Sequence, residues 1–130
     1  MRIAILTAVM AFGAVSAQAE VTKEVTTLGT SSVTLYPQPF LDATELATLR
    51  LVATNKEALA LFVPSSAGYA ALAAAPGEGF IKDNKPVASA IALSDLPDAE
   101  TAAKNALAAC DAARTSKEAC VLLLEVGPKN

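Results

Sequence analysis

Residues 96–126, LPDAETAAKNALAACDAARTSKEACVLLLEV, join a helix pattern to a strand pattern and carry both cysteines of the chain. In the first half, alanine, leucine and Cys110 recur at helical spacing after Asp95 and Asp98, either of which can cap a helix. The second half is continuously apolar over residues 119–124, as is typical of a central strand. The stretch therefore predicts an alanine-rich helix lying close to a sheet, with residues 119–124 inside that sheet.

The N-terminus has the pattern of a secretory signal peptide. Arg2 supplies a positive start, residues 3–15 are apolar, and Ala17 and Ala19 are small residues at the two positions that a signal peptidase reads. The apolar run is shorter than the roughly 20 residues of a membrane-spanning helix. We therefore expect cleavage after Ala19, a periplasmic or secreted mature protein, and no membrane insertion after cleavage.

In an exported protein, Cys110 and Cys120 most simply form a disulfide, because the compartment is oxidising. A redox-active pair is the alternative, but it favours a Cys-x-x-Cys spacing at a helix start. Cys110 instead falls near a predicted helix end, where the helix dipole disfavours a thiolate. The prediction is a structural disulfide.

The first half of the mature chain predicts one strand, one helix and a second strand. We expect a loose N-terminal arm over residues 20–31, followed by a single domain over residues 32–127 that begins with a strand at about 32–36. Asp42 and Glu45 have the spacing of a helix capping box, which predicts a helix over residues 41–54. The apolar run at residues 58–63, stopped by a proline, favours a buried central strand.

In the second half, residues 69–75 are bounded by glycine and proline, which favours a strand, and residues 87–93 alternate in the way of a partner strand. The order is then β-α-β-β-β-α-β. It predicts an α+β fold with two helices on one face of a four- or five-stranded antiparallel or mixed sheet, and a split β-α-β, ferredoxin-like arrangement. Residues 54–61 and 115–122 are similar to each other, which suggests a duplicated helix-to-strand unit or chance similarity.

Three short stretches carry a family resemblance: Tyr69-Ala70-Ala71, residues 106–110 (ALAAC), and Cys120-Val121-Leu122. With them, residues 68–126 resemble a family of small secreted bacterial domains of unknown function, built as hairpin, alanine-rich helix and closing strand. The chain departs from that family in lacking tryptophan and a glycine-rich second hairpin strand. The resemblance implies an exported, disulfide-stapled domain and supplies no catalytic residues.

Composition excludes several functions. The chain has no histidine, which rules out Ser-His-Asp and Cys-His catalysis and histidine-ligated metal sites. It has no phosphate-binding glycine loop. The net charge of −3, one unit more negative after removal of residues 1–19, argues against nucleic acid as a partner. We expect no enzyme activity, no catalytic residue, no cofactor and no metal.

The long connection between the two hairpin strands is the candidate contact surface, because loops on a rigid scaffold often carry recognition. Its candidate residues are Pro76, Gly77, Glu78, Gly79, Phe80 and Lys82. The leading hypothesis is a non-catalytic exported domain that contacts an unknown protein partner in the cell envelope. The alternative is a small-molecule binding module that uses a cleft between helices and sheet.

Overall fold

A computed structural model describes residues 22–63 and 68–129. The predicted signal peptide lies outside these residues. The elements are, in chain order, β1 (Glu24–Leu28), β2 (Ser31–Leu35), α1 (Ala43–Thr54), α2 (Lys56–Phe62), β3 (Tyr69–Ala74), β4 (Ile81–Lys82), β5 (Lys85–Pro86), β6 (Ile91–Leu96), α3 (Ala99–Ala113) and β7 (Val121–Pro128).

Five strands form one antiparallel sheet in the order β1-β2-β7-β3-β6, and β4 and β5 form a separate small hairpin. The predicted α+β class and the central position of the closing strand, β7, are confirmed. The ferredoxin-like arrangement is not confirmed, because the closing strand β7 lies inside the sheet, whereas a ferredoxin-like sheet has its closing strand at an edge. The predicted hairpin of residues 69–75 with the following strand is present as β3 and β6.

The prediction that α1 and α3 share one face of the sheet is wrong. Strand β3 is buried on both sides, since alternate residues belong to two different apolar clusters. Ala70 and Leu72 contribute to the cluster that contains Leu49 of α1, whereas Ala71 and Ala73 contribute to the cluster that contains α3. The domain therefore has helices on both faces of the sheet. The small alanine side chains of β3 and α3 allow α3 to pack closely against its face.

Helix α1 begins as its sequence predicts. The Asp42 side chain accepts a hydrogen bond from the Glu45 backbone N–H (2.7 Å), and the Glu45 carboxylate accepts one from the Asp42 N–H (3.1 Å). This reciprocal capping box satisfies two amide groups that have no partner within the helix. The buried side of α1 carries Leu49, Val52 and Ala53, which pack on the sheet.

The prediction of a strand at residues 58–63 is wrong, because residues 56–62 form α2. The Asn55 side chain accepts a hydrogen bond from the Ala58 N–H (3.0 Å) and so caps a new helix directly after α1. Lysine, glutamate, alanine and leucine are strong helix formers. In α2 only Leu59 is buried, and Leu61 is 83% exposed. A central strand would have required both faces to be covered.

The prediction of a loose N-terminal arm is also wrong, because residues 24–28 form β1 and pair in unbroken register with β2. Gly29 has a positive φ of 58° at the turn between them, a conformation that glycine adopts at no steric cost. Strand β6 begins at Ile91 rather than at Val87, since residues 88–89 form a turn and the Ala90 N–H donates to the Val87 carbonyl.

Candidate functional site

The predicted contact loop is fixed to the rest of the domain. Phe80 is completely buried and its ring lies 5.7 Å from the ring of Phe62, so its side chain forms part of the core and of no exposed surface. Gly77 and Lys82 are exposed, and Pro76, Glu78 and Gly79 are partly buried.

The Glu45 carboxylate holds this loop against the start of α1. Its Oε2 atom accepts hydrogen bonds from the backbone N–H groups of Phe80 (2.6 Å) and Ile81 (2.8 Å), while Oε1 serves the capping box. Burial opposes ionisation of Glu45, but these backbone donors and the charge of Lys82 keep its pKa below the usual value. The side chain is only 7% exposed, which identifies it as a structural link between loop and helix.

A second carboxylate, Glu78, ties the loop to the connection between α3 and β7. It accepts hydrogen bonds from the Thr115 N–H (3.3 Å) and hydroxyl (3.2 Å) and from the Ser116 hydroxyl (3.1 Å). Desolvation raises the pKa of Glu78, but these donors lower it by more. The loop between Pro76 and Lys82 is therefore anchored at two points, which leaves it little freedom to adapt to a partner.

Cys110 and Cys120 form the predicted disulfide, with their Cα atoms 6.1 Å apart. Cys110 lies on the buried side of α3 and is completely buried, and Cys120 is nearly so. The Asp111 carboxylate accepts a hydrogen bond from the Cys120 N–H (3.0 Å) and one from Arg114 (2.7 Å), and both donors lower its pKa. The disulfide closes the loop that holds Thr115 and Ser116 in reach of Glu78.

Among residues 22–63 and 68–129, no helix covers half of one sheet face. Helix α3 packs on β3, β6 and β7, whereas β1 and β2 lie beyond it. Val33 and Leu35 of β2 point into the α1 side of the core, so their sequence neighbours point to the α3 side. We call the resulting surface the open half-face. Its residues are Val25, Thr27, Ser32, Thr34, Tyr36 and Glu125, all of them exposed or half-buried.

Tyr36 and Glu125 interact at one end of the open half-face. Desolvation, followed by the charge of Glu125 and a hydrogen bond with it, raises the pKa of Tyr36 to about 12. The Lys23 ammonium group lies 5.7 Å from the centre of the Tyr36 ring, within the range of a cation-π contact. This end of the surface thus combines a phenol, a carboxylate and a cation.

A recess of about 160 Å³ separates the open half-face from the start of α3. Ser32, Thr34, Glu125, Tyr69 and Ala99 line it together with β7 residues. The Tyr69 ring covers Gly127 so closely that a Cβ atom there would lie 2.8 Å from two ring carbons. The recess is small compared with the roughly 300–1,000 Å³ of typical ligand pockets.

The two edges of the sheet differ. At the β6 edge, Asp95 has a positive φ of 61° and the pairing with β3 is irregular between Tyr69 and Ala71. Irregular edges of this kind discourage pairing with other strands. At the β1 edge, five residues pair with β2 without irregularity, none is proline, and Val25 is 65% exposed. Strand β1 is therefore the edge suited to accept another strand.

Among residues 22–63 and 68–129, no helix has both the length and the apolar character needed to cross a membrane. Within the same ranges, no three acidic or cysteine side chains come together in a way that could hold a metal ion. In comparisons with known proteins, no family model, no curated protein and no solved structure matches the chain.

The prediction of a loose arm at residues 20–31 leaves out β1 and with it the open half-face. The sequence signal for a hairpin is the β-branched run Val25-Thr26-Thr27, followed by Gly29 and a second run with Val33 and Thr34. The pairing of Tyr36 with Glu125 joins residues far apart in the chain, and no local pattern indicates it.

Proposed function

We propose that this protein is a non-catalytic exported domain that acts by contacting another protein, and that β1 and the open half-face form the contact surface. One observation carries the proposal: in the described part of the chain, a regular sheet edge without proline or bulge lies beside half of a sheet face that no helix covers. Edges with unpaired backbone groups bind extended segments of other chains. The disulfide is consistent with an oxidising location, and it supports a periplasmic or secreted protein.

Site-specific photo-cross-linking tests this proposal. A photoreactive amino acid replaces Val25 in β1 in one variant and Leu61 in α2 in the matched control, since both are exposed apolar positions on different sides of the protein. Irradiation of cells that export each variant should give a discrete cross-linked protein with the Val25 variant and none with the Leu61 variant. Equal cross-linking at both positions, or a discrete product from Leu61 alone, would contradict the proposed surface.

A second candidate function, binding of a small molecule, is favoured by the recess beside Glu125. Its lining combines a carboxylate with the hydroxyl groups of Ser32, Thr34 and Tyr69, which suits a small amine or polyhydroxylated compound. A ligand that binds only the folded state raises the melting temperature. Thermal-shift screening of such compounds should yield a hit whose effect disappears in Glu125→Gln. A flat response across the compounds would exclude this function.

A further inference from the structure

Positive charge surrounds β1, although the chain as a whole is acidic. Lys23 precedes the strand and lies over Tyr36. At the other end, the Lys56 Nζ atom lies 2.9 Å from where a Cβ atom of Gly29 would be, so its charge sits on the turn that follows β1. The Lys129 N–H donates to the Thr30 carbonyl (2.8 Å), which places this third lysine at the same turn.

These three lysines form no ion pair with a carboxylate of the described ranges. The ion pairs found in residues 22–63 and 68–129 are Arg50 with Glu24 and Arg114 with Asp111, and neither includes them. Glu24, the acidic residue of β1 itself, is engaged by Arg50 in a two-point hydrogen-bonded pair (3.2 and 2.9 Å). Both ends of the edge strand therefore carry lysines without an ion-pair partner in the described ranges, and at the Lys23 end the Glu125 carboxylate lies beside Tyr36.

The distribution of charge around β1 determines which kind of strand can pair with it. Antiparallel pairing of β1 with β1 of a second copy would place Lys23 of each copy beside the Lys56 and Lys129 of the other, and parallel pairing would place the two Lys23 residues together. Like charges in such positions oppose association. A second copy is thus disfavoured, whereas carboxylates at the ends of an incoming strand would complement both lysine sites.

We propose that an extended segment of a partner protein pairs with β1 and becomes the sixth strand of the sheet, and that this segment has acidic residues at both of its ends. This inference rests on the proposed protein-contact function. Backbone hydrogen bonds to the free edge of β1 hold the segment. Residues of the segment that alternate toward the open half-face lie beside Val25 and Thr27, where a β-branched apolar residue covers Val25. The lysines set the preference for acidic ends and accelerate association.

The test uses the ¹⁵N-labelled protein and a synthetic peptide of alternating valine and threonine with aspartates at both ends. A matched peptide carries lysines at its ends instead. The acidic peptide should shift the amide resonances of residues 24–28 and bind at least about tenfold more tightly than the basic peptide. Its affinity should fall as the salt concentration is raised.

Two variants with the same change in net charge make the test specific. Lys23→Glu/Lys56→Glu/Lys129→Glu should reverse the preference for the acidic peptide, with about a fivefold change in affinity for each lysine. Lys85→Glu/Lys104→Glu/Lys117→Glu alters exposed lysines elsewhere on the protein and should leave the preference unchanged.

Failure of this inference can be told from failure of the proposed function. No shift of the β1 amides at millimolar acidic peptide, equal binding of both peptides, or equal effects of the two variants would overturn the inference. So would self-association of the purified protein through β1. If cross-linking from Val25 still yields a discrete partner in any of these cases, the protein-contact function stands and only the acidic strand is excluded.

Discussion

The Glu45 carboxylate lies 2.6 Å from the backbone nitrogen of Phe80 and accepts its hydrogen, although the two residues are 35 positions apart. The same side chain completes the cap of α1 and also holds Ile81. Gly79 approaches this carboxylate so closely that a Cβ atom there would lie 3.2 Å from Oε2. One acidic group therefore fixes a helix start, a loop and the position of a buried aromatic ring.

Glu45→Gln should destabilise the protein by about 2–3 kcal/mol, because the amide group cannot accept all three backbone hydrogen bonds and leaves buried N–H groups without a partner. Urea unfolding measures the change. Glu57→Gln, in the exposed first turn of α2, is the control and should change the free energy of unfolding by less than about 0.5 kcal/mol. Equal effects of the two substitutions would contradict the role of Glu45.

Acid should weaken the fold through five carboxyl groups, Glu24, Glu45, Glu78, Asp98 and Asp111, whose pKa values are lowered in the folded protein. A group with a lowered folded-state pKa contributes stability above its unfolded pKa, about 4, and loses that contribution as the pH falls through the folded value. The free energy of unfolding should therefore be flat from pH 7 to about 5 and fall below about 4. The fall should be smaller in Glu45→Gln, and an unchanged slope would argue against this account.

Removal of the disulfide by Cys110→Ala/Cys120→Ala should cost a little under about 3 kcal/mol, since the cysteines are only 10 positions apart and a short loop gains less from closure. The loss should appear in the urea midpoint. As a control, the unsubstituted protein is unfolded in denaturant and alkylated without reductant. No cysteine should be labelled, and full labelling would show that the disulfide is absent.

Gly127→Ala should destabilise the protein by about 1–3 kcal/mol, because the new methyl group meets the Tyr69 ring. In a Tyr69→Ala background the same substitution should become neutral or slightly stabilising, since glycine in a strand is unfavourable relative to alanine. Thermal unfolding of the four proteins gives the coupling between the two sites. Additive effects would show that ring and glycine do not contact each other.

The sequence predicted elements whose local chemistry is complete. The capping box of Asp42 and Glu45, the alanine-rich α3 and the central β7 were all recoverable because the deciding residues are close together in the chain. Residues 56–62 show the opposite case: an apolar run satisfies both a strand and a helix, and the side chain of Asn55 decides for the helix.

The similar stretches 54–61 and 115–122 have different structures, because in each the contacts of nearby side chains decide the conformation. The first begins at a helix cap and forms most of α2, whereas the second is an irregular connection that leads into β7 and is held by the disulfide and by the Asp111 bond to the Cys120 N–H. Helices α1 and α3 can lie on opposite faces because β3 is apolar on both sides. The alanine run of β3 is compatible with this arrangement, but it does not exclude two helices on one face. The proposed contact surface could not be predicted for a further reason, since it depends on which strand lies at the sheet edge.

Amide hydrogen exchange, measured on the protein in a cell-envelope extract and on the purified protein, shows whether a partner strand pairs with β1. If a partner adds a strand to β1, the amides of residues 24–28 that face the free edge exchange more slowly in the extract, while amides of α2 exchange at unchanged rates. Slower exchange confined to α1 or α2, with β1 unchanged, would contradict the account.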